Sequence, residues 1–358
     1  MSIAATAPEL QISLAGPEDE PELRRLLREN PVPGSVAISY ERESDFFLAS
    51  GIEGEQGQTL IAREAGKVVA LGSRSTHTAC VNGEARRIGY LSQLRLDKSL
   101  RGNAHLLFRG YEKLKELHDE DGETPFYLTS LIDGNEAARR FLTSGHLRLP
   151  RYRFLESFKT LVLDAHGIEP GTCRSGRSED FPEIASCLQG QAGRSQLCRP
   201  WTAEELLSPE RSRGLSPEDF QVMTSKDRVT GCLALWDQSA FKQAVVRGYS
   251  GGLALLRPVL PKVGRPLRMA YLSHLAIDGD DSQVLLALIR GAVARARESG
   301  IRYLTLGLSS RNPMLEAVRR AFAPREYGSA LYAVHWKDGV AAVRALDSRP
   351  CHVEVATL

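Results

Sequence analysis

The sequence predicts an α/β protein made of two similar units, residues 1–165 and 166–358. Three observations support this. The 358 residues exceed what a single hydrophobic core usually organises, so two domains are the first expectation. Strand patterns alternate with amphipathic helix patterns along the chain. The same series of motifs then occurs twice in the same order, so each half can build its own sheet flanked by helices.

The repeat consists of four short motifs. Residues 18–23 (EDEPEL) return as 179–184 (EDFPEI), 90–94 (YLSQL) as 271–275 (YLSHL), and 127–129 (YLT) as 303–305 (YLT), while 135–138 are loosely matched by 312–315. Chance could produce one such pair, but four pairs in register indicate an internal duplication.

In the first half, residues 12–14 predict a strand, and 17–30 predict a helix that is acidic at its start and basic near its end. Residues 35–40, 59–63 and 67–73 predict further strands. The turn at Asn82-Gly83 leads into a central strand, 89–96. Residues 125–131 predict a strand, the stretch from Asn135 to Gly145 a helix, and 151–163 two closing strands.

The second half follows the same order. Residues 284–299 carry an apolar stripe typical of a helix, and 330–336 and 352–358 predict closing strands.

The chain is organised around residues 88–118. The central strand is followed by a polar turn with Lys98 and Arg101, and a helix with Leu106, Tyr111 and Leu114 at helical spacing opens at once. A strand, a basic turn and a helix start direct free backbone N–H groups at one place, which suits a phosphate.

This stretch resembles motif A of the GNAT N-acetyltransferase superfamily, whose loop holds the diphosphate of acetyl-CoA. Arg101 matches the family's first loop residue, while Ala104 and Leu106 stand where the family has a glycine and a small residue. The resemblance implies that acetyl-CoA is the co-substrate. It also implies a coenzyme site formed by Leu94, Arg95 and Leu96 of the strand and by Arg101, Gly102, Asn103, Ala104, His105 and Leu106 of the loop.

A second stretch resembles motif B of the same superfamily. Asn135, Ala138 and Phe141 match the pattern Asn-x-x-Ala-x-x-Phe, and Leu142 stands where many members have a tyrosine that protonates the leaving thiolate. The resemblance adds Asn135 to the coenzyme-binding candidates, although an asparagine at this position also caps a helix. With the repeat, the chain resembles a tandem GNAT protein with a mixed sheet in each half.

Acyl transfer to an amine also needs a base and an acid. The central strand carries Ser92 and Gln93 where a glutamate is common in the family, so Gln93 could order a water without acting as a base. Tyr127 could donate a proton and His77 could exchange one, but both residue types more often serve as core or surface groups. The catalytic candidates are therefore Gln93, Tyr127 and His77, and the sequence assigns no base.

The second half differs where a diphosphate would bind. Asp278, Asp280 and Asp281 follow its central strand, and three carboxylates there would repel a diphosphate. We therefore expect the second unit, 166–358, to have lost coenzyme binding.

Composition narrows the function classes. The net charge is only +2, from 46 basic and 44 acidic residues, which argues against a dedicated nucleic-acid-binding protein. The six cysteines lack metal-ligand or disulfide spacing, so no metal site is expected. No membrane span and no secretory signal are apparent, so we expect a cytoplasmic protein.

The leading hypothesis is an acetyl-CoA-dependent N-acetyltransferase that acts on an amine of a small molecule or peptide. One alternative is a non-catalytic GNAT-like binding or regulatory protein. Another is a transferase that uses aminoacyl-tRNA, against which the near-neutral charge counts. The acceptor and the oligomeric state stay open.

Overall fold

The computed structural model describes residues 10–226 and 228–358. Residues 1–9 lie outside this range, and so does most of the N-terminal segment for which we expect no secretory signal. The strands are β1 (Gln11–Leu14), β2 (Val36–Glu41), β3 (Gln56–Glu64), β4 (Lys67–Val81), β5 (Glu84–Leu96), β6 (Tyr127–Ile132), β7 (Arg151–Asp164), β8 (Arg174–Ser175), β9 (Phe220–Ser225), β10 (Arg228–Trp236), β11 (Gln243–Tyr249), β12 (Met269–Ile277), β13 (Tyr303–Ser309) and β14 (Arg325–His335).

Nine α-helices of the described residues lie between some of these strands or follow the last one. They are α1 (Glu20–Glu29), α2 (Ser50–Glu53), α3 (Ala104–Asp121), α4 (Glu136–Leu142), α5 (Phe181–Arg194), α6 (Ala203–Leu207), α7 (Ser282–Glu298), α8 (Leu315–Phe322) and α9 (Val340–Arg344). No helix in the described residues has the length and apolar character needed to cross a membrane.

Twelve strands form one sheet in the order β1-β3-β4-β5-β6-β14-β7-β13-β12-β10-β9-β8. The two closing strands are exchanged between the halves, because β14 pairs with β6 and β7 pairs with β13. β14 and β7 also pair with each other along nearly their whole length. A second small sheet joins β2 of the first half to β11 of the second. The α/β fold class with a mixed sheet is confirmed, and the division at residue 165 stays a prediction.

The predicted repeat appears in the structure as one element order used twice. β4, β5, α3, β6 and α4 in the first half correspond to β10, β12, α7, β13 and α8 in the second. Each central strand pairs in parallel with the strand after its helix. Each also carries a bulge at the equivalent residue, Gln93 with φ +56° and His274 with φ +51°.

Two predicted elements were wrong. Residues 151–163 form one strand, β7, because this long segment is paired on both sides by β14 and β13. Residues 352–358 form no strand; the segment crosses the second half with a 3-10 turn at Val355–Thr357. Its Glu354 carboxylate accepts a hydrogen bond from the backbone N–H of His274, which fixes the segment without strand pairing.

The junction of β5 and β6 depends on one glycine. A Cβ at Gly89 would lie 2.0 Å from Cδ1 of Tyr127, which is fully buried, so there is no room for a larger residue. We expect Gly89→Ala to lower the free energy of unfolding by roughly 2 kcal/mol, as measured by urea denaturation. Gly248→Ala in β11 is the control, because no atom lies within 4 Å of that Cβ position. An unchanged stability of Gly89→Ala would contradict the described packing.

Candidate functional site

The first feature of the site is a gap between two neighbouring strands. β5 and β6 pair only at Gly89 with Tyr127 and at Tyr90 with Leu128, and beyond these pairs the two strands separate. β6 continues by pairing with β14, and β5 continues with β4 alone. A side-chain hydrogen bond spans the start of the gap, where the Thr129 hydroxyl donates to the Leu91 carbonyl at 2.9 Å.

Backbone amides of β5 face this gap. The Asp97 N–H donates to the Val69 carbonyl of the β4 side at 2.7 Å. Because successive backbone groups of a strand point to opposite sides, the N–H of Leu96 points away from β4 and into the gap. Leu94 itself is 39% exposed, so the edge is open to a ligand. The predicted residues Leu94, Arg95 and Leu96 therefore form one wall of the gap.

The start of α3 provides further donors next to this wall. In the described residues, no hydrogen bond engages the N–H groups of Ala104 and His105, as expected for the first turn of a helix. The Asn103 side chain caps the helix by accepting from the Leu106 N–H at 3.0 Å. Leu106 is 3% exposed and packs beneath the helix, so its side chain leaves the loop open.

The remaining loop residues frame this helix start. Arg101, Gly102, Asn103 and His105 are exposed, and Gly102 has φ +85°, a conformation that favours glycine. One Arg101 Nη donates to the Asn30 side-chain oxygen at 3.3 Å, which keeps the guanidinium near the loop. The loop thus combines a cation with unpaired amides, an arrangement that binds anions.

Asn135, predicted to contact the coenzyme, lies at the start of α4. Its side-chain oxygen accepts from the Ala138 N–H at 3.4 Å, so it acts as a helix cap.

The three catalytic candidates occupy different environments. Tyr127 is a core residue: its hydroxyl contacts His118 Nδ1 at 3.2 Å, and burial raises the pKa of its phenol to about 12. Gln93 lies at the bulge, and its buried side-chain oxygen has no partner among the described residues. His77 is half-buried, and burial together with the charges of Arg199 and Arg211 lowers the pKa of its imidazole to about 3. His77 is therefore neutral and a weak base.

A small cavity with both polar and apolar lining residues, here called the junction pocket, lies on the sheet face opposite α3. Its interior volume is about 20 Å³. It is lined by Glu53, His77, Tyr90, Leu128, Leu197, Arg199, His352, Val353, Glu354, Thr357 and Leu358. Tyr90 and Leu128 are also the last paired residues of β5 and β6. The junction pocket therefore meets the strands where they separate.

Glu354 is the residue that the sequence analysis missed. Burial raises the pKa of its carboxyl to about 7, although the N–H groups of His274 and Leu275 and the charge of Arg199 oppose this rise. Oε1 accepts from the His274 N–H at 2.7 Å, and Oε2 has no partner among the described residues. A carboxyl group that is half ionised near neutral pH and faces a cavity can act as a general base.

The equivalent gap of the second half is closed. β12 and β13 pair from Met269 to Leu272 and then separate, as β5 and β6 do. In this gap the Glu354 carboxylate accepts a hydrogen bond from the His274 backbone N–H. The Val355 side chain packs closely on β13, because a Cβ at Gly307 would lie 2.3 Å from it. The tail is held in place by Lys242, whose Nζ donates to the carbonyl oxygens of Ala356 and Leu358 at 3.1 and 3.0 Å.

Solved acyltransferase structures share this architecture. N-myristoyltransferase of Saccharomyces cerevisiae with bound myristoyl-CoA matches with a TM-score of 0.61 and 14% identity, over 94% of this chain and 80% of that one. A GCN5-related N-acetyltransferase from Sphaerobacter thermophilus matches with a TM-score of 0.58 and 14% identity, over 99% of this chain and 100% of that one.

A third match is the GCN5-related glucosamine N-acetyltransferase region of a fungal multi-domain GH3 β-N-acetylglucosaminidase. It has a TM-score of 0.59 and 13% identity, over 92% of this chain and 38% of that one. Comparison with protein-family models and with curated protein sequences gives no match. At these identities the matches establish the fold, and the site has to be argued from its own residues.

Proposed function

We propose that this chain, which has the GNAT fold, transfers an acyl group from acyl-CoA to an amine of a small molecule or peptide. The observation that carries the proposal is the open gap between β5 and β6, which ends beside the unpaired amides of the α3 start. An anion bound at Arg101 and α3 would leave the rest of the coenzyme directed along the β5 wall. The comparisons support acyl-CoA chemistry in general, because the matched structures are named for acyl transfer.

We assign stabilisation of the thioester oxygen to the β5 wall of the gap and deprotonation of the amine to the junction pocket. The Leu96 N–H, which faces the gap, would stabilise the negative charge that develops on the thioester oxygen. The acceptor amine would enter from the junction pocket and lose its proton to Oε2 of Glu354. A C–N bond forms, the C–S bond breaks, and the thiolate leaves unaided because a thiol has a pKa of only about 8.5.

The acyl group that the sequence resemblance alone implies is an acetyl group. It rests on the resemblance of the loop 101–106 to motif A and on the match to GCN5-related N-acetyltransferases. The expectation of no nucleic-acid partner is likewise a proposal, supported by the net charge of +2. The cytoplasmic location is a further proposal, supported by six cysteines without disulfide spacing.

A non-catalytic binding protein is the second candidate, and one observation favours it. The Asn103 side chain already takes the Leu106 amide, which removes one donor from the loop. The two functions are separated by free-thiol release from acetyl-CoA in the presence of a panel of amines. Thiol release that depends on the amine supports the transferase, whereas coenzyme binding without release supports the binding protein.

The direct test of the donor site is isothermal titration with CoA and acetyl-CoA. We expect saturable binding of both, because the diphosphate and its contacts are common to the two ligands. An absence of heat at millimolar ligand would contradict the proposed function.

A further inference from the structure

A second cavity, here called the α3 cavity, lies between α3 and the sheet on the face opposite the junction pocket. Its interior volume is about 100 Å³. Leu106, Tyr111 and Leu114 line it from the helix, and Leu60, Ala62 and Ala70 line it from the strands. A water-sized group needs roughly 10–15 Å³ of such a volume, so the cavity has room for several methylene-sized groups, more than a two-carbon acetyl group fills.

The lining of the α3 cavity is almost wholly apolar, and two of its polar groups bond to neighbouring hydroxyl groups. The Ser73 hydroxyl bonds to the Thr59 hydroxyl at 2.9 Å. The Tyr111 hydroxyl bonds to the Tyr152 hydroxyl at 2.6 Å. Ordered water needs two to four polar partners, so this cavity suits an apolar occupant.

Gly110 keeps part of this space open. It lies in the second turn of α3 and lines the cavity, and no atom lies within 4 Å of the position a Cβ would take. Glycine weakens a helix relative to alanine, and neither a turn nor a close backbone approach requires it here. The missing side chain therefore adds room to the cavity rather than relieving a clash.

The α3 cavity reaches the candidate coenzyme site. Leu91 and Ser92 line it, and they directly follow Tyr90, after which β5 separates from β6. Leu94, at its mouth, is 39% exposed. Because neighbouring residues of a strand face opposite sides, Tyr90 faces the junction pocket and Leu91 the α3 cavity. A group held in the gap can thus extend into either cavity.

We propose that the acyl group of the donor is a long aliphatic chain that lies in the α3 cavity. This inference rests on the proposed function and names its donor class: a fatty acyl-CoA rather than acetyl-CoA. The bonds that form and break are those of the proposed function. The aliphatic chain increases the binding affinity of the donor because its methylene groups are buried away from water. Chains much longer than the cavity would have to bend back through the mouth, so an optimum length is expected.

The test compares the binding of CoA, acetyl-CoA, octanoyl-CoA and dodecanoyl-CoA by isothermal titration. Burial of each methylene is worth about a three- to fourfold gain in affinity. We therefore expect dodecanoyl-CoA to bind at least a hundredfold more tightly than acetyl-CoA. Equal affinities for these two ligands, with CoA binding intact, would overturn the fatty-acyl inference alone. No binding of any of the four would overturn the proposed function instead.

Gly110→Leu tests the location of the chain. The leucine would fill the α3 cavity, so we expect the preference for dodecanoyl-CoA to fall at least tenfold while CoA and acetyl-CoA affinities stay unchanged. Gly193→Leu in α5 is the matched control, since it also lies in a helix with no atom within 4 Å of the Cβ position. It should retain the full chain-length dependence.

Gly110→Ala provides a variant that adds only one methyl group and favours the helix. We expect it to shift the preferred chain by one or two carbons toward shorter donors. A full preference for dodecanoyl-CoA in both Gly110 variants would place the chain outside the α3 cavity and overturn the inference.

Discussion

Arg101→Glu is expected to weaken the binding of CoA about a hundredfold, which corresponds to roughly 3 kcal/mol. Arg101 is the exposed cation beside the open amides of Ala104 and His105. A charged hydrogen bond to a phosphate contributes about 1.5–3 kcal/mol, and the glutamate adds repulsion in its place. Isothermal titration in low salt measures the loss.

The control is Arg320→Glu, an exposed residue of α8 in the second half. It changes the net charge of the protein by the same amount, so it reports any general effect of charge on the approach of an anionic ligand. Arg320→Glu should bind CoA like the unchanged protein. Equal affinities for both variants would show that the loop around Arg101 does not hold the diphosphate.

Glu354→Gln is expected to lower the rate of acyl transfer by a factor of about 10² to 10⁴, the usual range for the loss of a general base. Glutamine keeps an oxygen that can accept from the His274 N–H, so the tail should stay in place. CoA affinity should not change, because the junction pocket and the α3 start lie apart along β5. Exposed Glu218→Gln is the control.

The pKa of Glu354 also predicts the direction in which the rate of acyl transfer changes with pH. A base acts when deprotonated, so transfer by the unchanged protein should rise with pH through about 7, the pKa of the Glu354 carboxyl. The rise should be absent from the residual activity of Glu354→Gln. A profile that keeps its rise near pH 7 would remove Glu354 from the mechanism.

Stability should move in the opposite direction from activity. Burial raises the pKa of Glu354, so its favourable contribution to folding is complete below the usual pKa of a glutamate and is lost as the pH rises through about 7. Glu354→Gln avoids burying the charge and should be more stable than the unchanged protein by roughly 2 kcal/mol at pH 8. At pH 4 to 5 the two proteins should have the same melting temperature.

The parts of the fold that local patterns describe were predictable. Apolar alternation and the Asn82-Gly83 turn located β5, and helical spacing located α3. The duplicated motifs indicated that the element order repeats. The exchange of β7 and β14 was not predictable in this way, because strand partners far apart in sequence are chosen by the whole sheet. The prediction of a strand at 352–358 was wrong for the same reason, because the apolar residues of this segment pack on the sheet without pairing with a strand.

In the candidate site, too, the residues of a local motif were predictable and those placed by tertiary packing were not. The loop 101–106 was recognisable because a helix start carries its donors in consecutive residues. Glu354 lies in a tail with no motif, and its raised pKa arises from burial among residues of both halves. The sequence identified Tyr127 and His77 as candidates by residue type alone. In the fold Tyr127 is buried in the core, and burial and nearby arginines lower the pKa of the His77 imidazole. A carboxyl becomes a base candidate only through tertiary packing.

The two halves of the protein offer an internal comparison. Both central strands carry the bulge and the gap, but among residues 10–226 and 228–358 a carboxylate from the C-terminal tail lies in the second gap and not in the first. The acidic turn with Asp278 and Asp281, where Asp281 caps α7 through the Gln283 N–H at 2.8 Å, adds negative charge there. This difference supports a single coenzyme site, in the first half.

The central claim is that unpaired amides of the α3 start and of β5 hold the coenzyme. Selective ¹⁵N labelling of alanine and leucine, followed by titration with CoA, tests it most directly. The account predicts that the Ala104 and Leu96 amide resonances shift together and saturate with the affinity found by calorimetry. Saturable CoA binding that leaves both resonances unmoved would contradict it.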